Sequence, residues 1–160
     1  MAVLTIITGA DNPMLRTKTK PIEKVTKKLL KLIKDMGKTM EAAQGVGLAA
    51  PQVSESVQLC LVPINGKVTP LINPDITWKS KETAIDEEGC LSLPNIWLPV
   101  PRSVDIHLSY LDQEGKKQER KLSAFEARVV QHEVDHLNGV LIVDYITAAP
   151  KKVKVPATKK

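Results

Sequence analysis

A chain of 160 residues with 42% hydrophobic content can bury one core, and is too short for two comfortable domains. Its formal charge of +5 is local: residues 151–160 carry five lysines and no acid, and without them 18 basic residues face 18 acidic ones. A neutral body with a solvated basic end excludes a chain-wide polyanion-binding face, so no specific nucleic-acid partner is expected. Cys60 and Cys90 make at most one disulfide, which is not the pattern of a secreted scaffold. The opening MAVLTIITGADN lacks both the basic region and the apolar length of a signal or spanning segment. A soluble cytoplasmic protein without membrane contact is expected.

After Pro21, Ile22, Val25, Leu29, Leu32, Ile33, Met36 and Met40 recur at steps of three and four, which predicts one long N-terminal helix. Lys24, Lys27, Lys28, Lys31, Lys34 and Lys38 fall mostly off that stripe and read as a solvated face. The helix should end near Gln44, because Gly45 and Gly47 follow. Leu59 to Val62 reads as a short buried strand closed by Pro63, and Leu71-Ile72 as another before Asn73-Pro74. Ile106, Leu108 and Tyr110 alternate with Asp105, His107 and Ser109, a half-buried strand. The turn Asp112 to Gly115 leads into Lys117 to Leu122, so the pair reads as a hairpin. A second helix is expected to start at Ser123, which forms a capping box with Glu126. Asn138-Gly139 stops it, and Leu141 to Val143 reads as a last strand. The grouping is that of an α+β domain over residues 1–150, followed by a flexible basic tail over 151–160.

The second helix carries His132-Glu133-Val134-Asp135-His136. Histidines four apart lie on one helical face, so both imidazoles can reach one ion, and Glu133 lies about 100 degrees round the helix beside them. Two of the chain's three histidines are in this motif. A catalytic zinc-type site uses three protein ligands and keeps a position open for water. Upstream, Glu87-Glu88-Gly89-Cys90-Leu91-Ser92 offers Cys90 as the third ligand from a loop or strand end. A buried free thiol is the alternative, and fits Cys60 better. In Gly45-Val46-Gly47-Leu48-Ala49-Ala50-Pro51-Gln52, close glycines let the backbone approach a ligand, and Gln52 offers an amide to a developing oxyanion. The segment is not a phosphate loop, since no Lys-Ser/Thr follows.

GVGLAAPQ at 45–52, EGCLS at 88–92 and QHEVDH at 131–136 resemble the three signature motifs of peptide deformylases, in the family's order and at similar spacing. LINP at 71–74, VPR at 100–102 and HLNGVLIVDYI at 136–146 extend the likeness over most of residues 11–146. The resemblance implies metal-dependent removal of the formyl group from N-formyl-methionyl peptides. It implies a compact single α+β domain, with mainly antiparallel and mixed sheets packed around the HExxH helix. Cys90, His132 and His136 would bind the metal, typically iron(II) in the cell, with nickel, cobalt or zinc also accepted. Glu133 would be the general base and later acid, and Gln52 with the Leu91 N–H the oxyanion hole. Val46, Gly47 and Val129 match positions lining the pocket for the methionine side chain. Many relatives carry arginine in the segment that here reads Asn95-Ile96-Trp97-Leu98, and the family links it to the substrate backbone. Apolar contact with Trp97 is expected to take over that role here. Many also continue into a longer C-terminal helix tied in some cases to ribosome docking. KKVKVPATKK shows no such apolar period, which leaves ribosome association open. A monomer is expected.

Two rivals use the same residues differently. An HExxH zinc metalloprotease would need a downstream third ligand, and Asp144 is the only acid after His136. A copper electron-transfer site would take one Cys and two His but has no task for Glu133. Among other residues, Glu88 and Arg102 are expected to pair beneath the cysteine, while Arg128 and His107 are expected to face solvent.

Overall fold

Leu59 to Val62 is a continuous apolar run because both of its faces are covered. In the computed structural model, which describes residues 2–148, it lies in strand β2 (Leu59–Ile64). Cys60 and Val62 face a cluster that includes Ala127, Val129 and Val130 of helix α3 (Ala124–Leu137). Leu59 and Leu61 face the opposite cluster, with Leu29, Ile33, Met36 and Met40 of helix α2 (Lys27–Ala42). A strand buried on both faces needs no polar alternation.

The sheet between the two helices is antiparallel and five-stranded, in the order β1-β2-β3-β6-β7. Its other strands are β1 (Leu48–Ala49), β3 (Lys67–Lys79), β6 (Asp105–Leu111) and β7 (Lys117–Ser123). Ile106, Leu108 and Tyr110 of β6 point to the α3 side, as their alternation requires. A separate two-stranded ribbon pairs β4 (Thr83–Cys90) with β5 (Leu93–Ser103). A third apolar cluster joins the short helix α1 (Pro13–Arg16) to β5 and to Leu141 and Ile142, through Leu15, Leu93 and Val100. The architecture is α+β, with antiparallel sheets around the motif-bearing helix and one long N-terminal helix. Among the described residues, no helix is long and apolar enough to cross a membrane. The basic tail at 151–160 and its expected flexibility lie outside the described residues.

Several local expectations are corrected. The long helix begins at Lys27, not after Pro21, because Thr26 caps it by accepting from the Leu29 N–H at 3.1 Å. It ends at Ala42 in a Schellman motif: the Gly45 N–H donates to Met40 O, and the Gln44 N–H to Glu41 O. Gln44, at φ 59°, takes the left-handed position. Strand β3 runs on through Asn73-Pro74 instead of stopping there, by means of a bulge next to Ile72. Asn73 accepts from the Ile22 N–H and donates to Ile22 O, at 2.8 and 2.7 Å, so the irregularity is pinned.

No capping box forms at Ser123. Its hydroxyl donates to Asp105 Oδ1 at 2.6 Å, while Glu126 accepts from the Asn65 N–H at 2.8 Å. Strand β7 passes straight into α3 through Ala124 at φ 54°, and this geometry turns the Ser123 side chain away from the helix N-terminus. Val143 to Ala148 is helix α4, not the end of a strand. Asp144 accepts from the Leu141 N–H at its start and takes two bonds from Arg16, at 2.7 and 3.0 Å.

Candidate metal centre and catalytic cavity

Cys90 is the last residue of β4, and the tight turn to Leu93 aims its thiol at α3. The Cys90 Sγ lies 3.3 Å from His136 Nε2. The rings of His132 and His136 lie one helical turn apart in an edge-to-face arrangement, with centroids 5.1 Å from each other and planes inclined at 61°. One donor atom from each of the three residues falls within 4.8 Å of the others. One thiol and two imidazoles form a donor set that suits a soft-to-borderline divalent cation and leave a coordination position for water. The residues therefore fit a metal. Asp144, the protease reading's only downstream acid, is held by Arg16 and stands outside this cluster.

The electrostatics agree with that fit. Burial, helped by the nearby His132, Arg102 and Arg16, drives His136 well below its ordinary value and keeps it in the neutral, ligating form. Burial would also lower His132, but hydrogen bonds to Cys90 and Glu88 and the charge of Glu133 outweigh it and raise the group to about 10. The ring thus sits against concentrated negative charge, which is the condition a cation site requires.

Beneath the cluster, one carboxylate organises three partners through four contacts. Glu88 Oε1 lies 2.9 Å from His132 Nδ1 and accepts from Arg102 at 2.8 Å. Its Oε2 accepts from Arg102 Nε at 2.9 Å and from Arg128 at 2.5 Å. Burial opposes ionisation here, yet the bonds from Arg102 and His132 hold Glu88 down at about 2. With Nδ1 engaged, His132 presents Nε2 to the cluster. Arg102 also donates to Asp135 and Tyr145, at 2.6 and 3.1 Å, and its guanidinium lies over the Tyr145 ring. Burial and a hydrogen bond to Asp135 push the Tyr145 hydroxyl up to about 12.

The expected Glu88–Arg102 pair is therefore present. The expectation for Arg128 is corrected: it faces inward, because Glu88, Val100 O and Ala84 O supply it with three acceptors. His107 is half-buried rather than solvent-facing, packed against Trp78 at 4.7 Å between ring centroids. Asp135 and Tyr145 were missed as parts of the brace. The available signal was an acid inside the HExxH helix with no assigned task.

Glu133 is almost fully buried, and burial pushes it up to about 7. Its Oε1 is enclosed, and among the described residues no group hydrogen-bonds to it. Its Oε2 would be 2.6 Å from a Cβ on Gly47, which shows why the second glycine of the GVG loop has no side chain. Gln52 lies in the 3₁₀ turn Ala50–Val53 that follows β1. Its carbonyl accepts from the Ala49 N–H at 2.9 Å, which turns its amide toward Ser92 Oγ at 3.1 Å and Cys90 Sγ at 3.9 Å.

These groups open onto a cavity of about 480 Å³, a size suited to a small ligand. Val46, Gly47, Gln52, Leu91, Trp97 and Val129 all line it, beside Cys90, His132 and Glu133. His136 stands behind it, 1% exposed. Phe125 also lines the mouth and was missed. It is 57% exposed on the first turn of α3, where an apolar residue gives no sequence signal of its own.

Comparison with known proteins places the chain among relatives of the same fold. The family model for polypeptide deformylase matches residues 4–152. A peptide deformylase of Pseudothermotoga lettingae is 44% identical over 138 residues, 86% of this chain and 80% of that protein. One from Thermotoga maritima is 43% identical over 140 residues, 88% and 85% of the two chains. The crystal structure of Thermotoga maritima peptide deformylase superimposes with a TM-score of 0.89 at 41% identity, covering 94% of this chain and 100% of that one. A Met-Ala-Ser-bound class I type b peptide deformylase from Acinetobacter baumannii gives 0.85 at 34% identity, covering 90% and 98%.

Proposed function

Because the chain belongs to the peptide deformylase family, metal-dependent hydrolases that remove the N-formyl group from nascent polypeptides, we propose how its own residues divide that work. Cys90, His132 and His136 hold one divalent ion, iron(II) in the cell, and accept nickel, cobalt or zinc in its place. Bound there, such an ion would supply Lewis acidity, lowering the pKa of water toward about 7. The observation that carries this reading is the convergence of the three donor atoms within 4.8 Å, beside a buried Glu133.

Glu133 takes a proton from the attacking water as its oxygen adds to the formyl carbon. A group raised to about 7 by burial is suited both to accept that proton and to return it near neutral pH. The negative charge developing on the formyl oxygen is met by the Gln52 amide and the Leu91 backbone N–H. Gln52 has two amide hydrogens: one is held by Ser92 Oγ, and the other, which meets Cys90 Sγ only at a long 3.9 Å, is the one that turns to the substrate oxygen. One such donor contributes about 2.7–4 kcal/mol to the transition state. Glu133 then protonates the departing amine as the C–N bond breaks, leaving formate and a free N-terminus.

Val46, Gly47 and Val129 receive the methionine side chain, and Trp97 gives apolar contact to the residues after it. The neighbour solved with Met-Ala-Ser supports a peptide lying in this cavity. The protein acts as a cytoplasmic monomer on this reading. The deciding experiment is formate release from formyl-Met-Ala-Ser by anaerobically prepared protein. Wild type should turn over, and Glu133→Ala and Cys90→Ser should each lose at least about 100-fold. A Cys90→Ser protein that kept full activity would remove the thiol from the ligand set.

A further inference from the structure

Glu87 and Trp97 sit on one side of the β4–β5 ribbon. Gly89 pairs with Trp97 and Glu87 with Pro99. Alternate residues of a strand share a face, and diagonal neighbours stand about 7–8 Å apart, within reach of long side chains. Both residues line the catalytic cavity. The indole lies against Gly89, where a Cβ would come within 2.7–2.9 Å of three carbons of its six-membered ring. Trp97 remains 48% exposed, so part of the ring is open to an incoming group.

Glu87 brings an uncompensated charge to this wall. Its Oε2 is enclosed by protein yet receives no hydrogen bond, and among the described residues no cation pairs with the carboxylate. Two basic groups line the same cavity, and both are committed elsewhere: Arg128 to Glu88, Val100 O and Ala84 O, and His132 to Glu88. Asp86, the neighbouring acid, is exposed and accepts from the Glu87 N–H at 2.8 Å, adding negative charge rather than relieving it. An aromatic face beside an unneutralised carboxylate is a receptor for an organic cation.

We propose that Glu87 and Trp97 form a subsite for a lysine or arginine side chain on the residues following formyl-methionine. The cationic head rests on the indole, and the Glu87 carboxylate balances its charge. This deepens the reading of the cavity as the peptide site and rests on it. Cation–π contact and an exposed ion pair give roughly two- to five-fold each, so together about ten-fold in affinity.

The test compares kcat/KM of metal-loaded wild type for formyl-Met-Ala-Lys and formyl-Met-Lys-Ala with their glutamate counterparts. In at least one register lysine is favoured about ten-fold, chiefly through KM, and 1 M salt shrinks the ratio. Glu87→Gln brings the ratio to about two, and Glu87→Lys inverts it, an outcome that lost packing alone would not produce. A wild-type ratio near one, a ratio indifferent to salt, or a ratio retained in Glu87→Gln overturns the subsite. The two wild-type readings decide it even if a variant does not fold. Failure to turn over any formyl peptide, formyl-Met-Ala-Ser included, counts instead against the assigned roles of the cavity. Equal turnover of every peptide counts against the subsite alone.

Discussion

Replacing Glu88 by glutamine tests the brace beneath the metal centre. Both carboxylate oxygens are engaged, each by two donors, at 2.5 to 2.9 Å. A glutamine must turn its NH₂ toward one of those pairs, so in either orientation two acceptor contacts become donor–donor contacts. The size of the effect can be reached in two ways. Glu88 is held at about 2 against an ordinary 4.5, and at 1.36 kcal/mol per unit this depression is about 3 kcal/mol in favour of the folded, ionised form. Breaking one side of a buried ion pair costs about 3–5 kcal/mol by itself. A loss of about 3 kcal/mol in a chain of this size lowers Tm by roughly 6–12 °C.

The sign with pH follows from a depressed carboxylate. The stabilisation is complete above about 4.5, and is lost as pH falls toward about 2. Melting of chelator-treated wild type and Glu88→Gln should therefore differ fully at pH 6–7 and converge progressively below about 4.5. With the NH₂ at the Oε1 position His132 loses the acceptor that orients it, and at the Oε2 position that acceptor is displaced by the clash with Arg102 and Arg128. Metal affinity should therefore fall about 10–100-fold by competition with a chromogenic chelator. A melting difference under 2 °C at neutral pH, far below that shift, would show that Glu88 carries no such load.

Gly47→Ala should abolish most turnover while the fold persists, because its Cβ would lie 2.6 Å from Glu133 Oε2 and 3.1 Å from Val129 Cγ1. Circular dichroism with formate release checks this, and undiminished kcat would count against Glu133 sitting where it is described. Gly139→Ala should cost about 2–4 kcal/mol, since φ is +76° and a Cβ would meet the Arg16 carbonyl oxygen at 2.6 Å. Gly37→Ala, inside α2 with nothing within 4 Å of the new Cβ, should instead stabilise by about 0.5–1 kcal/mol. Urea denaturation of the two variants should move the midpoint in opposite directions. Chelation should remove activity, and anaerobic iron(II) or nickel(II) should restore it. The thiolate-held iron form should decay faster in air than the nickel form, and equal decay would refute iron-linked oxidation as the cause.

The metal ligands were legible because their geometry is largely local. Two histidines four apart can only share one face once the segment is a helix, and the glycine stop, together with a capping box that does not in fact form, marked it as one. Cys90 was legible as a candidate because a thiol after glycine had no apolar run to join, unlike Cys60. The Ser123 cap was misread for the opposite reason. Its hydroxyl had a second acceptor, Asp105, brought alongside by the β6–β7 pairing, and local spacing carries no information about that pairing. Arg128 was misread in the same way, since its three acceptors come from the β4–β5 ribbon.

By itself, the sequence determined what depends on short spacing: the two amphipathic helices, the alternation in β6, and the pair of imidazoles with Glu133 beside them. Tertiary structure alone decided what depends on long loops closing. It brought Cys90 across 46 residues to His136, set Glu88 under His132, and left Glu87 without a partner beside Trp97. A helix turn repeats every 3.6 residues and can be counted along the chain. The neighbours of a side chain on another strand depend on register, and only the folded sheet fixes that.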